Sequence, residues 1–178
     1  PESRQLLAEI SQGLYAICVF DLTAERELGR RLFEEKMIPG LLYVDNYDDS
    51  VDTLGDERKT NLTAYIDRRI TRYIGTAFNG IVRKLEKDKY LIILRKKAIT
   101  QLQESRFDLL EEVKTVNIGN EMAVTISIGI GLNGLSYAQN YEFSRNAIDL
   151  ALGRGGDQAV IKTPDSITYY GGKSQQVE

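Results

Sequence analysis

The run Leu150-Ala-Leu-Gly-Arg-Gly-Gly-Asp-Gln-Ala-Val-Ile-Lys162 constrains this chain more than any other segment. It reads as the last turn of a helix, a glycine-rich turn and a short apolar strand. Two further runs ask for strands beside it. Gly40-Leu-Leu-Tyr-Val-Asp-Asn46 is nearly continuously apolar, the pattern of a central strand covered on both faces. Met122–Gly131 alternates Val124, Ile126, Ile128 and Ile130 with the small Thr125, Ser127 and Gly129, so a packed helix or a ligand comes close on one side.

The remaining elements follow from periodicity and turn chemistry. Residues 3–12 read as weakly helical and Tyr15–Phe20 as a strand. Asp21-Leu-Thr23 opens a helix to about Lys36, with Thr23 as N-cap, Glu25 and Glu27 near its positive end, and Leu28, Leu32 and Phe33 on one face. Pro39 and Gly40 break the chain, and Asp48–Asp56 reads as an acidic turn. Residues 57–74 form a helix whose Leu62, Ile66, Ile70 and Tyr73 recur at helical spacing. A hairpin follows, with arms 78–85 and 90–94 joined by Glu86-Lys-Asp-Lys89. Residues 98–116 are helical with an interruption near Ser105, 143–152 form the last helix, and 159–162 can pair with 167–170 around Pro164-Asp165. The resulting β-α-β-β-α-β-α-β order predicts an α+β fold, a mixed sheet with flanking helices.

Composition narrows the chemistry. With 178 residues the chain holds one domain and an extra element. It begins at Pro1, which reads as a fragment of a longer protein, and no apolar run reaches the roughly 18–20 residues of a membrane helix. Its one cysteine, Cys18, reads as a core residue, and a chain with no internal disulfide fits a reducing compartment. The absence of histidine excludes His-based acid–base catalysis, Ser-His triads and zinc sites built on His. Charge is uneven: residues 1–57 carry 5 basic and 13 acidic groups, 58–97 carry 12 and 3, and 98–178 carry 6 and 10. The block of net +9 either attracts an anion such as a nucleotide or is a solvated face paired with the acidic N-terminal part. An acidic chain with pI near 5.2 argues against nucleic acid as a partner.

The order and lettering resemble the GGDEF domain of bacterial cyclic-dinucleotide signalling, a nucleotidyl-cyclase-like fold related to the ferredoxin-like folds. In that family a strand ends in a magnesium-binding Asp-x-Asp, a hairpin carries Gly-Gly-Asp/Glu-Glu-Phe, and a late helix offers Lys and Arg to phosphates. Here Asp45 matches the first aspartate, while the second falls on Tyr47. The hairpin signature falls on Glu86-Lys87-Asp88-Lys89-Tyr90, without glycines and with a lysine at the fourth place. Leu152 and Gly156 stand about where the phosphate-binding Lys and Arg would be. A two-magnesium site needs several carboxylate oxygens, and Asp45 with Asp88 is a poor cage, so diguanylate cyclase activity is not expected.

This degenerate form is similar to the modified GGDEF domain of the membrane-anchored cyclic di-AMP phosphodiesterases. The likeness rests on Val44-Asp-Asn-Tyr-Asp48, Val124–Gly129, Asp149–Lys162 and Tyr169-Tyr-Gly-Gly-Lys173. It implies the end of an upstream PAS-like sensor at 1–21, a linker helix at 22–38, the degenerate GGDEF domain at 39–173, and at 174–178 the start of a linker to a DHH domain. It further implies a cytoplasmic domain of a membrane-anchored bacterial protein. Its hydrolase chemistry would use manganese in a DHH/DHHA1 part outside this chain. The family's modified domain is associated with regulation and with weak ATP hydrolysis, which would call on ATP and magnesium.

Site by site the alternatives stand open. Asp45 is a residual metal or nucleotide contact, or a carboxylate that caps loop amides. Asp88 is its metal partner, or ordinary turn chemistry. Lys87 and Lys89, with Arg83 and Lys84, neutralise nucleotide phosphates in place of magnesium, or keep an exposed edge charged. The Gly153-Arg154-Gly155-Gly156 turn presents amides and Arg154 to a phosphate, or is a helix C-cap with Gly153 and Gly155 as the cap residues. Gly129 and Gly131 serve helix packing or ligand approach. Three functions compete: a module passing a PAS state to a DHH domain, a weak ATPase, and a homodimerisation module built on Leu28, Leu32 and Phe33.

Overall fold

The computed structural model describes residues 5–11, 14–20, 22–52, 56–117, 119 and 122–172; for 5–11, 14–20, 51, 52 and 56 it describes the backbone element alone. The expected interdomain segment at 174–178 lies outside these residues, and the Cys18 side chain is not among what is described. The chain divides into two compact units, Pro1–Lys36 and Met37–Glu178.

In the first unit β1 (Gln5–Ser11) pairs antiparallel with β2 (Leu14–Phe20), Gln5 opposite Phe20 and Ser11 opposite Leu14. Of the helix expected over 3–12, the described part, Gln5–Ser11, is thus a strand. The weak helical preference of Leu, Ala and Glu yields to pairing with the Tyr15–Phe20 run. Helix α1 (Thr23–Glu34) follows, and its N-cap position falls on Leu22 with no side-chain cap, so Thr23 is the first helical residue. Glu27–Arg31 and Arg30–Glu34 pairs lace its surface. Leu28, Leu32 and Phe33 are exposed.

The second unit runs β3 (Met37–Val44), α2 (Tyr47–Asp52), α3 (Asp56–Arg72), a π-helical turn (Tyr73–Ala77), β4 (Ile81–Lys84), β5 (Lys89–Arg95), α4 (Lys96–Glu104), α5 (Leu109–Lys114), β6 (Ile126–Gly131), α6 (Tyr137–Gly153), β7 (Gln158–Lys162) and β8 (Ile167–Gly171). The strands form one sheet in the order β4-β5-β3-β6-β7-β8, with β6 and β7 parallel and all other pairs antiparallel. The crossover from β6 through α6 to β7 is the unit announced by Leu150–Lys162.

Strand alternation sorts the core onto two faces. Leu42, Val44, Tyr90, Ile92, Leu94, Ile126, Ile128 and Ile130 pack with Leu62, Ile66, Ile70 and Ile74 of the α3 segment and with Ile99, Leu102, Leu109, Leu110 and Val113 of α4 and α5. The other face takes α6, where Ala147 and Ala151 meet Val160. Contact there is too close for side chains on β6: a Cβ on Gly129 would lie 2.4 Å from Ile148 N, and one on Gly131 would lie 1.9 Å from Asn140 O. These glycines therefore serve the helix.

Three boundaries differ from expectation. Pro39 lies inside β3, opposite Ile93 of β5. The Ser144 hydroxyl accepts from Gly131 N–H at 2.9 Å and stands 2.9 Å from the Pro39 carbonyl, which covers the ladder beside the imino nitrogen. The acidic stretch after Asn46 coils into α2, with Asp48 and Asp49 in its first turn. Helix α6 starts at Tyr137, not Phe143, because Ser136 caps it by accepting from Gln139 N–H at 3.1 Å.

Candidate functional site

Asp45 follows the last residue of β3, and its N–H donates to Thr125 C=O at 3.0 Å. The next residue locks the same corner: Asn46 donates to Ala123 C=O and accepts from Thr125 N–H. The Asp45 carboxylate is drawn toward the turn after α6. That turn is a Schellman closure, with Gly156 N–H bonded to Ala151 C=O and Gly155 N–H to Leu152 C=O, both at 3.0 Å. Gly155, Gly156 and Asp157 all have positive φ, at 98°, 74° and 56°. Gly155, not Gly153, is the left-handed cap residue. Gly156 has a second constraint, since a Cβ there would lie 2.7 Å from Asp45 Cγ.

This close approach lets Asp45 Oδ2 accept from Asp157 N–H at 2.8 Å. The Asp157 carboxylate in turn pairs with Lys114 of α5 at 2.7 Å, and Lys114 also holds Glu111 at 2.7 Å. Asp45 Oδ1, Asp157 Oδ1 and Ser127 Oγ are buried, and among the described residues they have no hydrogen-bond partner. Burial pushes the Asp45 carboxyl above its ordinary value; the nearby Ser127 hydroxyl, short of a full hydrogen bond, and the Asp157 amide pull the other way, and the Asp157 charge adds to the rise. Burial works against the Lys114 ammonium, but its bonds to Asp157 and Glu111 win and raise it.

The hairpin approaches through its backbone: Asp88 C=O accepts from Val44 N–H at 2.8 Å. Its lysines are engaged by the protein itself. Lys87 pairs with Asp48 and lies over the Tyr47 ring at 5.4 Å; Lys89 pairs with Glu86 at 2.8 Å and lies over the Tyr43 ring at 5.6 Å. Lys84 pairs with Asp67, which also accepts from Tyr90 OH. Arg154 is exposed and stacks on Tyr169 of β8, 4.4 Å from the ring centroid.

The fold thus brings Asp45 to the turn that carries Arg154, and the hairpin backbone to the end of β3. The Asp45 carboxylate itself meets Asp157. Among the described residues no group of three or more His, Cys, Asp or Glu can hold a metal ion. The donors do not fit the two-ion site of an active cyclase; Asp45 Oδ1 and Asp157 Oδ1 are the carboxylate oxygens this corner leaves unclaimed. Asp157, Lys114 and Ser127 escaped sequence reasoning. The left-handed Gly-Gly-Asp run was the available signal for Asp157, while Lys114 is joined to it only by folding.

The family model for the GGDEF domain of GdpP-like cyclic-di-AMP phosphodiesterases matches residues 42–169. The chain is 31% identical over 176 residues to the cyclic-di-AMP phosphodiesterase GdpP of Geobacillus thermodenitrificans, covering 98% of this chain and 27% of that protein. It is 27% identical to GdpP of Bacillus subtilis, covering 89% and 24%. The chain therefore spans about a quarter of the length of these relatives. In fold it is similar to the GGDEF domain of DgcB from Caulobacter crescentus, solved with c-di-GMP, at a TM-score of 0.59 and 18% identity over 80% of this chain and 89% of that one. Among the described residues no helix is long and apolar enough to cross a membrane.

Proposed function

The chain belongs to the GdpP-like GGDEF domains of cyclic-di-AMP phosphodiesterases, and from that premise we propose that it is a regulatory module and not a diguanylate cyclase. In this reading a PAS sensor precedes it and a DHH/DHHA1 catalytic part follows it, in a parent protein anchored at a bacterial membrane. The module passes the state of the first to the second. Hydrolysis of cyclic di-AMP, with manganese, belongs to the catalytic part. The relatives' greater length supports such neighbours.

One observation carries the regulatory reading: the Asp45 carboxylate, at the position of the family's first metal aspartate, accepts from Asp157 N–H and fills the space over Gly156. The hairpin lysines answer to Asp48 and Glu86. The test is incubation of the chain with GTP and magnesium or manganese. No cyclic di-GMP is expected, and its formation at any steady rate sinks the reading. Exposure of Leu28, Leu32 and Phe33 on α1 supports pairing with a second copy, which a concentration-dependent mass would register.

A second reading, weak metal-dependent ATP hydrolysis, is favoured by the unclaimed Asp45 Oδ1. Asp45 with Asp88 would hold one magnesium ion, and Lys87, Lys89 and Arg154 would face the nucleotide. Calorimetric titration with ATP and magnesium separates the readings. Saturable binding that is lost in Asp45→Ala, with the fold intact, favours the ATPase; heats unchanged by that substitution remove it.

A further inference from the structure

A cleft of about 740 Å³ opens between the second half of α3 and the segment that closes α5. Its α3 wall carries Tyr65, Arg68, Arg69 and Arg72. Their spacing places them on one side of the helix. Across the cleft stands Glu112, with Val116, only 6% exposed, at the floor. Arg69 reaches Glu112 at 3.6 Å. Arg68 and Arg72 are exposed, and among the described residues neither has an ion pair.

Two like charges four residues apart on a helix repel, and among the described residues no carboxylate pairs with them. An anion seated between them does. A guanidinium presents a planar fork of donors that matches phosphate oxygens, and two of them on successive turns suit a group with at least two negative charges. Glu112 already claims Arg69, so the free positive charge sits at Arg68 and Arg72. Tyr65, 54% exposed at the same wall, offers a ring face.

We infer that this cleft binds a small phosphate-bearing anion, held by Arg68 and Arg72, with Tyr65 stacking on any base the ligand carries. The site shares no residue with the Asp45 corner and does not rest on the function proposed above. It gives part of the basic block at 58–97 a use that the hairpin lysines, paired within the protein, do not have.

The test is calorimetric titration of the 178-residue chain with inorganic pyrophosphate, inorganic triphosphate and ATP, without metal and at two salt concentrations. Saturable binding is expected, weakened about tenfold or more by Arg68→Gln with Arg72→Gln and tightened severalfold by Glu112→Gln, which removes the competing carboxylate. Tyr65→Ala should weaken ATP and leave triphosphate unchanged; an equal affinity for ATP in that variant overturns the stacking role. Arg145→Gln, on the opposite face of the sheet, matches the charge lost in Arg68→Gln alone, and a loss equal to that of the single Arg68→Gln overturns the site. So does a failure of all three anions to bind at millimolar concentration. ATP heats that vanish in Asp45→Ala but survive the arginine substitutions would put the nucleotide at the β3 corner and overturn the cleft.

Discussion

The lysines of the β4–β5 hairpin and the arginines of α3 belong to the same basic stretch of sequence, yet the fold treats them differently. Lys84, Lys87 and Lys89 each meet a carboxylate, from Asp67, Asp48 and Glu86. Among the described residues, Arg69 alone of the α3 arginines finds one, from Glu112. The cause is position. The hairpin tip lies beside the acidic start of α2, where Asp48 and Asp49 stand at a helix N-terminus. The outer stripe of α3 faces a cleft whose described lining holds one acidic side chain, Glu112. A charge run in a sequence is therefore not one object. The part that folds against the protein's own acids is neutralised, and the part that does not is open to a ligand.

The sharpest way to break this contrast is to open the neutralised corner. Gly156→Ala forces a side chain into a left-handed backbone and against the Asp45 carboxylate. A loss of about 2–4 kcal/mol is expected in urea unfolding. The loss should shrink when Asp45→Ala is added, because the collision partner is gone. Additive effects would mean that Asp45 and the turn do not touch.

Lys114→Met probes the same corner from α5. It leaves the Asp157 carboxylate, with a side chain 21% exposed, without its ammonium partner. The expected cost is about 1–3 kcal/mol, read as a shifted urea midpoint.

Proton linkage adds a pH signature. The folded Asp45 carboxyl lies above its ordinary value of 3.8, so the folded protein binds this proton more tightly than the unfolded chain does. Stability from this group is fully present below that value and declines as pH rises from there through the folded pKa. Asp45→Asn lacks the decline. Relative to the wild type it should gain stability between acid and neutral pH, and paired melts at several pH values will show whether the gap widens in that direction.

The smallest effects separate the two basic groups directly. Arg68→Gln relieves the repulsion with Arg72 and should raise stability by roughly 0.2–0.5 kcal/mol at low salt. Lys87→Ala removes an ion pair between side chains 58% and 70% exposed and should leave the unfolding midpoint where it is. A clear destabilisation in both would erase the contrast.

Much of the scaffold was legible because its periodicities are strong. Leu62, Ile66 and Ile70 are buried as their spacing predicts, and the interruption near Ser105 is where α4 ends. The elements misread were those governed by partners distant in sequence. Gln5–Ser11 is a strand because β2 pairs with it, and Pro39 is tolerated in β3 because the β6 ladder begins only at Gly40, while Ser144, 105 residues away, takes up its carbonyl. The site was legible at Asp45, whose place at a strand end follows from the apolar run before it. Its partners were not, since Asp157 lies 112 residues away and Lys114 lies on another layer.

The sequence by itself determined the alternating and helical patterns, a glycine-rich turn after the last helix, the uneven charge, and the family those letters belong to. Each is a property of neighbours along the chain, where sterics and spacing act directly. Only the tertiary structure decided that Asp45 spends an oxygen on the Asp157 amide, that the hairpin lysines are answered by carboxylates, and that among the described residues Arg68 and Arg72 are not. Those outcomes depend on which charges meet through space and how much water is removed from around them, and a linear pattern encodes neither.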